Sequence, residues 1–494
     1  MIPRQTRIAM VLGGTLFLSY AYFYEAGGWG QNSRFALVRA ILERHTLQID
    51  AYQLHTGDRA FWRGHYYTDK APGASFVALA PVQGARLIAR AVGVDPASFP
   101  GIAWTSYVAA VVTSGLFTVI AALCVFWLSI RWGASQGAAL FAATGYGLAS
   151  PAWAYATLFL GHGQTAGCLM IALVAADALD QREGQRWKGL VIGLAAGWAV
   201  VTEFQAAIPA VFIGLLAIAR LTPSRYIPLA RSTKALAERD VFPVVARIAL
   251  GVTIAAIPLL VYNTLAFGSP FHLGYASEEG FKELQTGFFG ITYPRLSTIG
   301  ELLFGTYRGL LPISPLMAAV PFGLALLWRN RRGGPALVAA CTGVYYLLLN
   351  ASYFYWEGGW AFGPRQITTA LPFLALGLAP LWDLGPRPVG RALLLAGWIW
   401  GVGITLVAVS TTAQPPASIK APIRELLWPA FRDGDLSLNP QTFVHNSVDV
   451  SHLRGGGEPH AAWNLGEIAG LRGLYSLLPL LFIWAVAVCL LVRL

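Results

Sequence analysis

Residues 104–130, WTSYVAAVVTSGLFTVIAALCVFWLSI, decide the fold of this chain. The run contains no charged side chain, and as a helix it is long enough to cross a hydrocarbon core of about 30 Å. Apolar runs of about 18 residues or more recur along the whole sequence. This pattern predicts an all-α polytopic membrane protein with about 12 transmembrane helices.

The overall composition agrees with a membrane protein. Hydrophobic residues make up 56% of the chain and charged residues only 12%, whereas soluble domains carry about 25% charged residues. The formal net charge is +11. In a membrane protein such an excess is typical of cytoplasmic loops, so we do not expect nucleic acid as a partner.

One ambiguous segment, Gly73–Val94, decides which side of the membrane each loop faces. Arg4 and Arg7 precede the first apolar run, which indicates a cytoplasmic N-terminus. If Gly73–Val94 lies in the outer interface, every short basic loop falls in the cytoplasm, whereas if it spans, all of them fall outside. We therefore predict an interfacial helix here, with both termini cytoplasmic. The basic loops lie near residues 131, 182–188, 220–239, 329–332, 387–391 and 493.

The outer loops hold most residues that are capable of chemistry, and the first of them, residues 25–103, is the densest. Its stretch SRFALVRAILERH at 33–45 has helical spacing and a broad apolar stripe, which suits an interfacial helix. Asp50, Asp58 and Asp69 follow in non-helical stretches, where a fixed carboxylate can act as a general base. The alternative is a solvated loop of mixed charge. The cations of this loop, which can neutralise a phosphate, are Arg34, Arg39, Arg59, Arg63 and Lys70.

Further ionisable residues stand at the outer ends of predicted spans. Glu203 and His162 are both at this level, either in a site or as an ion pair and a helix cap. The stretch LLFGTYRGLLPISP at 302–315 carries Arg308, and YFYWEGGWAFGPRQ at 353–366 carries Glu357 and Arg365. Basic residues are scarce on the outer face, so these arginines indicate an anionic ligand at the outer leaflet. All eight histidines also fall on this side or at an outer span end.

Three features resemble a known family, the C-type-fold (GT-C) membrane glycosyltransferases, in the branch with aminoarabinose transferases and protein O-mannosyltransferases. GHYYTDKAPG at 64–73 is similar to the family's aromatic–acidic–Lys–Pro–Pro element, with Asp69 and Lys70 at the acidic and Lys positions. SRFALVRAILE at 33–43 is similar to the helix after the family's first span. The third feature is the layout of one span, a long outer loop and then many spans.

The sequence departs from the family at one important point. Gln31 and Asn32 stand where the family usually has a carboxylate pair. The base would then be Asp50, Asp69 or Glu25, and we favour the first two because they lie in the tightest part of the loop.

The resemblance implies a polyprenyl-phosphate-linked sugar donor and a glycan, lipid or protein acceptor on the outer side of a bacterial-type plasma membrane. It implies a transmembrane catalytic core at residues 1–410, an outer loop or small cap at 411–472 and a last transmembrane helix at 473–494. No metal or cofactor is required. Donor phosphate binding is predicted for Lys70, Arg34, Arg308 and Arg365, and substrate binding for His65, Tyr67, His162, Glu203 and Glu357.

Two other functions compete with this one. A transporter or flippase of an anionic lipid or sugar should show an internal repeat, interrupted helices and polar groups near the midplane, none of which is clear in the sequence. A non-catalytic assembly protein would use Glu203, Arg308 and Arg365 as structural ion pairs.

Overall fold

The computed structural model describes residues 3–179, 187–221, 233–384, 388–444 and 461–494, without the side chains of 233–240, 282 and 285. Several residues named above fall outside this description. They are the basic residues at 182, 186, 225, 231 and 387, the side chains of Lys234 and Arg239, and the histidines at 445, 452 and 460.

The described chain is mostly helical, as the apolar runs predict. In its first half the helices are α1 (Arg4–Ala21), α2 (Trp29–Arg44), α3 (Gly73–Ala91), α4 (Phe99–Ala110), α5 (Leu116–Arg131), α6 (Gln136–Gly147), α7 (Ala152–Ala156), α8 (His162–Asp177), α9 (Trp187–Thr202), α10 (Ala207–Leu221) and α11 (Thr233–Phe267). The later helices are α12 (Leu296–Phe304), α13 (Leu310–Ile313), α14 (Val320–Leu327), α15 (Gly333–Ser352), α16 (Leu371–Ala375), α17 (Leu378–Leu384), α18 (Pro388–Thr411), α19 (Trp428–Asp433), α20 (Leu465–Ile468) and α21 (Leu478–Arg493).

Two short antiparallel strand pairs lie within the described residues. They join β1 (Phe23–Tyr24) to β4 (Trp463–Asn464) and β2 (Ala60–Trp62) to β3 (His65–Tyr67).

Length and hydropathy establish a multi-pass membrane protein. In the described part of the chain, 6 helical stretches are long and apolar enough to cross a membrane, or 7 if the bent pair formed by Arg365–Ala375 and Leu378–Leu384 is one span. The predicted count of about 12 is not confirmed, because helices such as α8 and α9 have only 16 residues each. The six stretches are Phe99–Arg131, Phe204–Leu221, Val241–Phe267, Pro315–Ser352, Pro388–Thr411 and Gly473–Arg493.

The bundle has two ends that carry different charged groups. α5, α8 and α10 meet at the end that carries Asp177, whose fully buried carboxylate accepts from Arg131 Nε at 3.0 Å and from Trp132 Nε1 at 3.1 Å. Arg220 of α10 pairs with the same carboxylate. A buried charge is tolerated only when it is paired, and here the partners of Asp177 come from other helices. The cluster therefore holds three helices together at this end of the bundle, which we call the basic end. The start of α8 and the end of α9 lie at the opposite end.

The ambiguous segment forms α3, which is not among the stretches long and apolar enough to span. It packs against α2 and α4, and the Arg86 guanidinium donates to Glu43 Oε1 of α2 at 2.6 Å. Trp104 of α4 donates from Nε1 to the Ala85 carbonyl at 3.1 Å. α3 is therefore part of a helical layer with α2, and its position in the outer interface remains a prediction.

The segment after α18 packs onto the first loop. β4 pairs with β1, so that Phe23 lies opposite Asn464. Asn439 Nδ2 donates to the Gly27 carbonyl at 3.0 Å, and Gln414 Nε2 donates to the same carbonyl at 2.9 Å. Hydrogen bonds therefore join the described part of 411–472 to the loop that follows α1.

The predicted topology can be tested with single cysteines in a variant whose four native cysteines are replaced. We expect Asp95→Cys, at the exposed turn after α3, to react with a membrane-impermeant maleimide in intact cells. We expect Arg329→Cys, exposed at the basic end, to react only after permeabilisation. If Asp95→Cys reacted only after permeabilisation and Arg329→Cys reacted in intact cells, the predicted topology would be wrong.

Candidate functional site

A cavity opens at the end of the bundle where α8 begins and α9 ends. Its walls come from α2, the segments flanking the β2–β3 hairpin, the start of α8, the turn after α9 and two later loops. Polar and ionisable groups face it alongside aromatic rings. They include Arg34, Asp58, Lys70, His162, Glu203, Tyr275, Tyr353, Tyr355 and Arg365.

Lys70 lies between two carboxylates. Its Nζ is 3.0 Å from Asp58 Oδ2 and 2.5 Å from Asp69 Oδ2. Asp69 is fully buried and also accepts from Ser33 Oγ at 3.2 Å. Burial acts to lower the pKa of Lys70, but the two carboxylates outweigh it and raise this pKa, so the ammonium form is favoured. For Asp69, burial raises the pKa against the opposing effect of Lys70.

The β2–β3 hairpin brings these two carboxylates together. Arg63 and Gly64 form its two-residue turn with positive φ values of 50° and 88°, as the turns that join tightly paired strands require. Ala60 pairs with Tyr67, and the same register extended by two residues sets Asp58 opposite Asp69. The sequence places Asp58 among the other loop aspartates and does not by itself predict it as a site residue. The two-residue turn between aromatic strands is the sequence signal that identifies it.

Arg34 and Arg365 converge with Asp58 over Gly30. A Cβ atom on Gly30 would lie 3.2 Å from Asp58 Oδ2, 3.3 Å from Arg365 Nη2 and 3.4 Å from Arg34 Nη1. Arg34 is buried and donates from Nη1 to the Gly30 carbonyl at 2.7 Å, whereas its buried Nε has no hydrogen-bond partner. The structure therefore brings three predicted phosphate-binding residues, Lys70, Arg34 and Arg365, to one cavity.

His162 and Glu203 face each other at the inner wall of the cavity. Nδ1 of His162 lies 2.7 Å from Glu203 Oε1, in a short contact whose N–H direction is bent away from the oxygen. Arg365 Nε donates to His162 Nε2 at 3.1 Å. Although burial acts to raise the pKa of Glu203, the neighbouring His162 and the two arginines outweigh it and hold this pKa below its usual value.

An aromatic wall completes the cavity, and sequence analysis did not single out its members. Tyr275 comes from the loop after α11, while Tyr353 and Tyr355 follow α15. The Tyr355 ring centroid is 5.6 Å from that of Phe281. The aromatic run YFYW at 353–356 indicated an interfacial turn but not a cavity wall, because such runs are common at membrane interfaces.

Three predicted residues of the first loop do not line this cavity. Asp50 is half-exposed, and its carboxylate is bound to His65 Nδ1 at 2.8 Å and to the Tyr66 backbone N–H at 2.6 Å. His65 is itself exposed on the hairpin. Tyr67 is buried and packs against Phe267 with ring centroids 5.2 Å apart. Asp50 and Asp69 are therefore not brought together in the cavity.

Glu25 also lies apart from the cavity. It is buried, and its Oε2 accepts from the Ala413 backbone N–H at 2.9 Å. Burial, with Glu467 nearby, raises the pKa of Glu25 to about 8. Glu25 joins the first loop to the segment after α18.

Arg308 is fully buried, and its guanidinium donates hydrogen bonds to backbone carbonyls. It donates to Glu357 at 2.9 Å, to Gly359 at 2.7 Å and to Tyr307 at 3.2 Å. Neither Arg308 nor the Glu357 side chain lines the cavity. Arg308 therefore holds the turn that carries Tyr355 and Gly358, and its predicted phosphate contact stays a prediction.

Gln31 and Asn32 have structural roles that carboxylates could not fill. Gln31 Nε2 donates to Gln414 Oε1 at 2.8 Å. Asn32 Nδ2 donates to the carbonyls of His55 at 2.6 Å and Thr442 at 2.9 Å. An ionised carboxylate only accepts hydrogen bonds, so an acid at position 32 would face two carbonyl oxygens unpaired.

Within the described ranges, no group of three or more His, Cys, Asp or Glu side chains is arranged to hold a metal ion. Between Asp58 and Asp69 the positive charge is the Lys70 ammonium.

The fold and the cavity define a multi-pass α-helical membrane protein with an ionised cavity at one end of its bundle. No family model and no curated protein matches the chain. The chain is similar to the crystal structure of ArnT from Cupriavidus metallidurans bound to undecaprenyl phosphate, with a TM-score of 0.50 and 15% identity over 87% of this chain and 68% of ArnT. ArnT is a GT-C-fold aminoarabinose transferase, so the predicted GT-C-like fold is confirmed.

A second solved structure is also similar. Archaeal oligosaccharyltransferase AglB from Archaeoglobus fulgidus, in complex with an inhibitory peptide and a dolichol-phosphate, gives a TM-score of 0.43 and 11% identity over 83% of this chain and 56% of AglB.

Gly30→Ala tests the convergence over Gly30. Alanine favours the helix by about 1 kcal/mol, so thermal stability should be kept. Its methyl group would push apart Asp58, Arg34 and Arg365, so affinity for a phosphate monoester, measured by titration calorimetry, should fall about 10-fold. Gly14→Ala in α1, with no atom within 4 Å of its Cβ position, is the matched control. Unchanged affinity in Gly30→Ala would contradict the prediction that Arg34 and Arg365 bind a phosphate next to Gly30.

Glu25→Gln tests the buried carboxyl group. Because its folded pKa of about 8 exceeds the ordinary value of 4.5, the folded protein holds this proton more tightly than the unfolded chain. Stability should then fall as pH rises from 4.5 to about 8. Thermal unfolding should show Glu25→Gln gaining stability over the wild type across that range, with exposed Glu425→Gln as the neutral control. A gain that does not grow with pH would be the contrary result.

Proposed function

We propose that this protein is an integral-membrane glycosyltransferase. It moves a sugar from a polyprenyl-phosphate donor to an envelope glycan, lipid or protein acceptor on the extracytoplasmic side of a bacterial-type plasma membrane. The observation that carries the proposal is the meeting of three cations and two carboxylates in one cavity of a GT-C-like bundle. The undecaprenyl phosphate bound to ArnT supports the class of donor.

The cations of the cavity suit a phosphate leaving group. Lys70 is kept protonated by its two carboxylates, and Arg34 holds a buried Nε–H without a partner. An unpaired buried N–H costs about 1–3 kcal/mol, which a phosphate oxygen would recover. We assign Lys70, Arg34 and Arg365 to the donor phosphate, where their charge stabilises the phosphate that departs.

Asp58 is the carboxylate base in this proposal, because it lines the cavity whereas Asp50 and Glu25 do not. The acceptor hydroxyl oxygen attacks the anomeric carbon, and the bond from that carbon to the phosphate oxygen breaks. The proton of the hydroxyl passes to Asp58, and the bonding electrons leave with the polyprenyl phosphate. Asp69, buried behind Lys70, fixes the ammonium.

The aromatic wall supports a sugar subsite. Tyr275, Tyr353 and Tyr355 combine flat apolar rings with hydroxyl groups, and a sugar likewise has apolar faces and a polar rim. This wall lies in the same cavity as the cations, so a sugar attached to the bound phosphate would reach it.

The test is a transfer assay with purified protein, using the polyprenyl-phosphate sugar that copurifies with it, identified by mass spectrometry. Lys70→Ala, Arg34→Ala and Arg365→Ala should each lower transfer by about 100-fold or more, because each removes charge at the leaving group. Asp58→Asn should abolish transfer and leave donor binding intact. Exposed Arg90→Ala is the control for loss of a cation.

Asp50→Asn is the matched control for the base, because its carboxylate lies on the exposed hairpin. It should keep near-normal transfer. Loss of transfer in Asp50→Asn with normal transfer in Asp58→Asn would return the base to Asp50. A wild-type protein that moves the lipid across vesicles without transferring its sugar would instead be a transporter or flippase.

A further inference from the structure

A chain of three side chains, buried at His162 and Glu203, crosses the inner wall of the cavity. Glu203 contacts Nδ1 of His162 at 2.7 Å, and Nε2 of the same ring accepts from Arg365 Nε at 3.1 Å. His162 is 3% exposed and Glu203 is 5% exposed, so water does not compete for these contacts. The Tyr155 ring packs edge-on against the imidazole, with centroids 5.5 Å apart.

The chemistry of arginine decides the state of this histidine. A guanidinium has donors and no acceptor, so the lone pair of His162 Nε2 must accept from Arg365. The proton of the ring then sits on Nδ1, the nitrogen that is in contact with Glu203, and the imidazole is neutral. A second proton on Nε2 would break the contact and set an imidazolium against Arg365.

The chain directs the other end of the Arg365 guanidinium into the cavity. Nη1 donates to the Gly358 carbonyl at 3.3 Å, while Nη2 is directed at Gly30, next to Arg34 Nη1. Two neighbouring guanidinium groups repel, and although the Asp58 carboxylate offsets part of this repulsion, a hold from behind favours this position of Arg365. His162 supplies that hold, and Glu203 orients His162.

We propose that His162 and Glu203 are positioning residues, which fix Arg365 beside Arg34 so that both bind the donor phosphate. This inference rests on the proposed function only in that the ligand is a phosphate-linked lipid. It replaces the predicted direct contact of His162 and Glu203 with substrate. The charged groups that face the imidazole are Glu203, Arg365 and Arg34.

A double-mutant cycle on the full-length protein tests the inference, with binding of a short-chain polyprenyl phosphate followed by native mass spectrometry. His162→Leu should weaken binding about 10-fold in the wild-type background, because Arg365 loses its anchor. In the Arg365→Ala background the same change should matter less than about 2-fold, because residues that act through one another are not additive. His162→Gln, which keeps one donor and one acceptor, should retain most of the affinity.

Affinity is measured on the folded fraction of each variant, which separates positioning from a purely structural role. In a purely structural role, His162→Leu would lower the melting temperature, and its effect on affinity would be the same with and without Arg365. If His162→Leu does not fold, the cycle of Glu203→Gln with Arg365→Ala replaces it, with the same expectation. Additive losses, or a His162→Gln variant as weak as His162→Leu, would overturn the inference alone. A wild-type protein that does not bind polyprenyl phosphate would overturn the proposed function as well.

Discussion

The ammonium of Lys70, held between Asp58 and Asp69, is the interaction on which the cavity depends. Three charges at low exposure are stable only because each has an opposite partner within 3.0 Å. Removal of the lysine would leave two carboxylates facing each other across the end of a hairpin. The same ammonium lines the cavity, so one contact both stabilises the loop and places a cationic group on the cavity wall.

The other ionisable groups of the cavity are also held by nearby partners. Glu203 offsets the positive charge of Arg365 through a neutral imidazole, and Arg34 is anchored by one carbonyl while a second N–H stays unpaired. Groups that are fully paired, such as Arg308 with its three carbonyls, serve the scaffold. Among the arginines considered for the site, Arg34 thus lines the cavity with an unpaired N–H, whereas Arg308 lies outside the cavity and is paired with carbonyls.

The helical bundle places this chemistry at one end and leaves structural charge at the other. Asp177 joins Arg131 and Arg220 where α5, α8 and α10 meet, whereas the first residue of α8 contributes His162 to the cavity. Such separation is expected in a membrane, because an unpaired charge in the hydrocarbon region costs several kcal/mol. Ionisable groups are consequently concentrated at helix ends.

The sequence by itself determined the polytopic helical class, the GT-C-like layout and the outer-loop motif with Lys70, since apolar run length and short motifs are local properties. It also indicated Arg34 and Arg365 as phosphate-binding candidates and His162 and Glu203 as substrate-binding candidates, together with others that do not line the cavity. Only the tertiary structure decided their partners. Hairpin register set Asp58 opposite Asp69 and left Asp50 outside, and helix packing buried Arg308 among carbonyls. Pairing between residues distant in sequence depends on register and packing, which no local pattern encodes.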